Sequence, residues 1–139
     1  MAILRIGNIG ERMDLDIKQG ATFRQMFEMY GPIDEDNETH VAQGYGDPVD
    51  LTGCTIRGKI RKTRLSATVT CSFTCTITDP TLGKYEIFLS DTTTAAITAG
   101  EKITDKASKY TWDLELLDTL SYVTPLYHGD VYVKAEVTR

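Results

Sequence analysis

The chain is short of the residues that most often carry chemistry. Its 139 residues include two histidines, three cysteines and one tryptophan. A catalytic triad would need one of those histidines. His40 lies in an acidic loop and His128 precedes Gly129-Asp130 at a turn, and a lone loop histidine is ordinarily solvated. No Gly-x-Ser-x-Gly elbow, phosphate loop, His-Glu-x-x-His pair or dinucleotide fingerprint is present. No catalytic or cofactor-binding residue is assigned, and the chain reads as non-enzymatic, with no small-molecule substrate.

Cysteine is too scarce, and odd in number, for a disulfide framework. In an extended strand Cys71 and Cys75 stand ~13 Å apart on one face, beyond the ~7 Å that a bridge tolerates. Whether Cys54 faces one of them across a sheet stays open, and buried free thiols acting as small hydrophobes are the simplest reading. These spacings are too wide for a zinc site.

Long apolar runs are absent too, far short of the ~20 residues that a membrane helix needs. The start, Met1-Ala2-Ile3-Leu4-Arg5-Ile6-Gly7, lacks the layout of a secretory signal. The expectation is a protein made and kept in a cytoplasm, with no membrane partner. Net charge is −5, from 15 Lys and Arg against 20 Asp and Glu. That balance disfavours a phosphate backbone, so no nucleic-acid partner is expected.

What the chain does have is period-two alternation, with no sustained helical periodicity. Val69, Cys71, Phe73, Cys75 and Ile77 alternate with Thr68 to Thr78. Cys54, Ile56 and Ile60 face one way, and Thr55, Arg57, Lys59 and Arg61 the other. Gly58 on the inner side implies a bulge or a close neighbour. Tyr85, Ile87 and Leu89 form an inner face, as do Trp112, Leu114 and Leu116, then Val131, Val133, Ala135 and Val137. Leu15 and Ile17, turning at Gln19-Gly20 into Phe23, Gln25, Phe27 and Met29, predict a hairpin. Asp91 to Ile97 is the one helix expected, with Asp91 as N-cap and Gly100 beyond its end. Spacings of eight to a dozen residues between strands fit a sandwich or a barrel.

Two segments stand outside this pattern. Residues 1–12 carry Ile3, Leu4, Ile6 and Ile9, broken by Gly7 and Gly10. Residues 31–50 form a long loop, acidic at Asp34-Glu35-Asp36-Asn37-Glu38 and glycine-rich around Tyr45, and loops of that length are commonly functional or mobile. The spaced carboxylates would suit calcium, but Thr39 stands where an EF-hand turn needs Gly and the final Glu is missing, so no metal ligand is assigned. Tyr110, Trp112, Tyr122 and Tyr127 have the chemistry of a sugar-stacking platform, although Trp112 falls on the apolar phase of its strand.

The order of these segments is familiar. Asp16-Ile17-Lys18-Gln19-Gly20-Ala21-Thr22-Phe23 is followed by Asp47-Pro48-Val49-Asp50-Leu51-Thr52-Gly53-Cys54-Thr55-Ile56-Arg57-Gly58-Lys59-Ile60-Arg61. Then come Gly83 to Leu89, Thr93 to Ile97, Tyr110 to Leu116, and Gly129 to Val133 with Val137-Thr138-Arg139. The pattern resembles the N-terminal domain of phage baseplate upper proteins and small tailed-phage virion proteins sharing that domain. The resemblance implies an all-β, immunoglobulin-like antiparallel β-sandwich over residues 13–139, with the acidic loop 31–50 inserted. It implies a virion structural protein, assembled in the host cytoplasm and placed at the tail or baseplate. Its partners would be other virion proteins and further copies of itself, with no cofactor. Alternatives are a capsid or neck decoration protein, or a carbohydrate- or receptor-binding module. Residues 1–12 are expected to leave the domain as an inter-subunit arm. The interface candidates are Ile3, Leu4, Ile6, Ile9, Tyr45, Tyr122 and Tyr127.

Overall fold

The computed structural model describes residues 3–6, 10–97 and 108–135, with backbone alone for residues 3–6 and 108. Ten strands carry the fold: β1 (Ile3–Ile6), β2 (Glu11–Arg12), β3 (Leu15–Lys18), β4 (Phe23–Met29), β5 (Thr55–Arg61), β6 (Cys71–Ser72), β7 (Thr74–Asp79), β8 (Lys84–Leu89), β9 (Ser108–Leu117) and β10 (Val123–Lys134). Two short helices, α1 (Glu38–Gln43) and α2 (Asp91–Ala96), and a 3-10 turn at Pro80–Leu82 lie in the connections.

The strands form two sheets, ordered β1-β4-β8-β7 and β2-β10-β9-β5-β6, with β3 following β2 along the edge of β10. In the lettering of the immunoglobulin fold these orders are A-B-E-D and A′-G-F-C-C′, in the same sequence order. The fold is thus the expected all-β sandwich. It departs from a purely antiparallel one at its edges, where β1 runs parallel to β4, and β2 and β3 run parallel to β10.

Alternation explains the core. In β8 every second residue is buried, giving Tyr85, Ile87 and Leu89 to the interior. Trp112 and Leu114 of β9 and Val131 and Val133 of β10 face them from the other sheet. Phe27 stacks on Tyr85 at 5.0 Å and meets Tyr127 at 5.1 Å, and Trp112 joins this spine edge-on to Phe73 at 5.9 Å. Each such ring pair adds roughly 0.5–1.5 kcal/mol beyond the area it buries. Gly58 is a close-approach site, as expected: a methyl there would meet Leu114 Cδ1 at 2.8 Å and the Asp113 carbonyl at 3.0 Å.

A second close approach locks the first strands in place. Between β2 and β3 the chain passes over Gly129 of β10, where Met13 N–H donates to the His128 carbonyl at 2.8 Å. The Trp112 indole N–H donates to the Met13 carbonyl at 2.7 Å, and the Asp14 carboxylate accepts from Asp130 N–H at 2.9 Å.

Several expectations are corrected. Leu15–Lys18 and Phe23–Met29 are not a hairpin, because β3 pairs with β10 in one sheet while β4 pairs with β8 in the other. The turn at Gln19-Gly20 crosses between layers, held by Gln19 Nε2 donating to the Ile97 carbonyl at 2.8 Å. The Val69–Ile77 alternation also changes sheets: β6 pairs with β5, and β7 with β8. Helix α2 is capped by Ser90 rather than Asp91, since the Ser90 hydroxyl accepts from Thr93 N–H. Gly100 and Val137 lie outside the described residues.

The arm expectation is corrected as well. Ile3, Leu4 and Ile6 pair with Met26, Phe27 and Met29 of β4, and Glu11 and Arg12 pair with β10. The backbone of this segment therefore completes edges of both sheets in its own chain, and the division at residue 13 dissolves. Unpaired edge groups of β4 and β10 are satisfied by a segment already tethered nearby. Ile9 and the side chains of Ile3, Leu4 and Ile6 lie outside the described residues.

Candidate functional site

One end of the sandwich gathers three connections. The 30–54 segment leaves β4 and enters β5, the Pro80–Leu82 turn joins β7 to β8, and residues 118–122 join β9 to β10. They are knitted together: Leu51 N–H donates to the Pro80 carbonyl at 2.8 Å and Val49 N–H to the Met29 carbonyl at 2.9 Å. Gly53 lies against Thr119 so closely that a methyl on it would stand 2.8 Å from that side chain. In antibody variable domains the B–C and F–G loops of this same end carry recognition. Here the end displays Ile33, Val41, Leu82, Leu120, Tyr122 and Val123 to solvent, with Leu120 71% and Tyr122 67% exposed. Scattered exposed apolar residues are ordinary, but among the described residues every exposed large apolar side chain except Leu65 stands at this one end, which makes it a candidate contact surface.

Loop 31–50 is built, not structureless. Asn37 caps α1, its side chain accepting from Thr39 and His40 N–H, and Gly44 closes the helix in a left-handed conformation. His40, expected to be solvated, is buried. Its Nδ1 accepts from Asp34 N–H at 3.1 Å, which places the ring proton on Nε2, 2.8 Å from Asp47 Oδ1. One side chain thus ties the two ends of the loop together. Asp34 Oδ1 accepts from Asp36 N–H, so the acidic run turns at its tip. Among the described residues no group of three or more His, Cys, Asp or Glu is placed to hold a metal ion.

The outer face of the second sheet carries a different feature. Lys59, Asp113, His128 and Arg12 lie in register across β5, β9, β10 and β2, and Arg61, Thr111 and Asp130 form the adjacent row. Together with Arg64 they line a pocket of about 230 Å³. Arg12 pairs with Asp130 at 2.9 Å and Asp14 at 3.2 Å, and Arg61 lies 3.6 Å from Asp113. Exposed pairs of this kind contribute roughly 0–1 kcal/mol each. Lys59 and Arg64 have no ion-pair partner among the described residues. The pocket therefore offers unsatisfied positive charge to a carboxylate or another anion.

The aromatic candidates separate. Tyr122 is exposed, and Tyr45 packs on Tyr30 of its own chain with ring centres 4.2 Å apart. Tyr127 is corrected from interface to core, because a register shift between Pro125 and Tyr127 turns it inward, where burial pushes its phenol up to about 12. Trp112 is buried beside it and Tyr110 is buried further along β9, so of the four rings of the sugar platform only Tyr122 reaches solvent. The three cysteines are free. Burial raises their thiols above the ordinary value, Cys75 to about 11, which disfavours the reactive thiolate.

The sequence reading missed the His40 staple and the basic pocket. An asparagine N-cap seven residues before Gly44 marks α1. The outward Lys59 and Arg61 mark one wall of the pocket, but its other walls come from strands far away in sequence. No protein-family model matches the chain, and no curated protein matches it significantly.

Proposed function

We propose that the chain is a non-enzymatic structural subunit of a tailed-phage virion, placed at the tail or baseplate and held there by protein–protein contacts. The observation that carries this reading is the knitted loop end with its exposed Ile33, Val41, Leu82, Leu120, Tyr122 and Val123. A rigid apolar loop end gives a partner protein area to bury without an ordering cost. The resemblance of the motif order to baseplate upper protein domains supports the same reading. So does the position of the resembling segments, which fall on β3, β5, β8, α2, β9 and β10 and the turns leading into them, with Val137-Thr138-Arg139 outside the described residues.

Immunogold labelling of purified particles with antibody to the chain tests the proposal. Gold at the tail or baseplate is expected. Gold on the head or neck would favour decoration there, and particles free of the protein would end the structural reading.

A further inference from the structure

We propose that one copy of the chain seats the acidic tip of its 31–50 loop in the basic pocket of a second copy. From Gln25 to Ile56 there are seven Asp and Glu residues and no Lys or Arg, whereas Arg57 to Arg64 holds five Lys and Arg and no acid. The fold turns this division into a polar molecule. β5 starts at the loop end with Thr55 and reaches Lys59 and Arg61 four and six residues later, roughly 13 and 20 Å along the strand. The acidic tip is not among the residues that line its own pocket. The two complementary surfaces of one copy are therefore left to pair with those of another.

Each surface is suited to the other. On the loop, Glu35, Asp36 and Glu38 are exposed and have no cationic partner among the described residues. The His40 and Asn37 hydrogen bonds hold that tip in one shape, which lowers the ordering cost of docking. In the pocket, four basic side chains outnumber Asp113 and Asp130 in a chain whose net charge is −5. Leu65, 97% exposed beside Arg64, and Ile33, exposed beside Asp34, give the contact an apolar component. Because the two patches differ, the contact is heterologous and builds a ring or an open series according to its rotation.

This inference rests on the virion reading only for its setting, and the two fail separately. Particle labelling can succeed while the purified chain stays monomeric, and the reverse. Sedimentation equilibrium of the purified full chain is compared with two charge-reversed variants, Lys59→Glu/Arg64→Glu and Glu35→Lys/Asp36→Lys. Arg64→Glu alone serves as a milder pocket variant, and circular dichroism checks each fold. The wild type is expected to exceed its 15.5 kDa monomer mass at low salt. Its dissociation constant should rise at least about tenfold between 50 and 500 mM salt, as screened charge pairs require. Each double variant alone should be monomeric, since its loop and pocket then carry like charge, and an equimolar mixture of the two should associate again. A monomeric wild type at low salt, association indifferent to salt, or variants that assemble like the wild type would each overturn the proposal.

Discussion

Replacing Gly129 by alanine tests how the first strands are locked onto the second sheet. A β-carbon there would lie 2.1 Å from the Met13 carbonyl oxygen and 2.7 Å from its carbonyl carbon, both backbone atoms that no side-chain rotation can clear. Ordinary contact requires the crossing chain to retreat by more than about 1 Å, enough to break the hydrogen bonds that hold it. Those bonds are Met13 N–H to His128, the Trp112 indole to Met13, and Asp130 N–H to Asp14. At about 1 kcal/mol for each bond, with a further ~1–2 for the stranded buried indole, the cost is roughly 4–5 kcal/mol. That is a large share of the roughly 5–15 kcal/mol that holds a domain together. Urea unfolding read by Trp112, the single tryptophan, measures it directly. Gly31→Ala is the control, because its methyl would meet only the Asp47 carbonyl at 3.6 Å. A Gly129→Ala midpoint equal to that of the control would refute the close-approach reasoning.

Further predictions concern the loop, the core and the surface. His40→Ala removes the acceptor for Asp34 N–H and the partner of Asp47, so loop opening should become easier by roughly 2–3 kcal/mol. Hydrogen exchange over residues 34–47 reads this, and unchanged protection there would refute the staple. Tyr85 is buried and its hydroxyl has no hydrogen-bond partner among the described residues. Tyr85→Phe should therefore be neutral or stabilising by up to about 2 kcal/mol in urea unfolding, and a clear loss would mean that the hydroxyl is satisfied. Burial raises Cys75 from 9.0 to about 11 and Tyr127 from 10.0 to about 12 because it disfavours their anions. Their protonated forms are favoured by folding, so this stability is complete below pH 9 and is lost as pH climbs through 11 to 12. The urea midpoint should fall over that window, and a rise would contradict the assignment. Leu120→Ser/Tyr122→Ser should leave the melting temperature within a few degrees while lowering incorporation into particles, and normal incorporation would remove the loop end from the account.

The core was legible because burial in a strand is written locally. Tyr85, Ile87 and Leu89 alternate in the sequence and are buried in the structure, and Trp112 occupies the inner phase that its neighbours predict. Gly58 reads the same way, since only a close neighbour explains a glycine on an apolar face. Which sheet a strand joins is not written locally. Leu15–Lys18 and Phe23–Met29 look like a hairpin from their spacing, yet their partners are β10 and β8, far along the chain. Phe73 interrupts an unbroken alternation without a glycine or proline to announce that the chain changes layers there. The same limit hid the candidate surfaces. Arg12, Asp113 and Asp130 meet Lys59 only after β2, β9, β10 and β5 are laid side by side. His40 reads as a loop residue until Asp34 and Asp47 close around it.

A cryo-EM map of the intact particle tests the central claim most directly, because that claim is that this sandwich works through its surfaces as part of a larger protein assembly. The account predicts several copies of a two-sheet domain in the tail or baseplate, with Leu120 and Tyr122 of each copy covered by protein. Density in which that loop end faces open solvent in every copy, or particles that lack the domain, would contradict it.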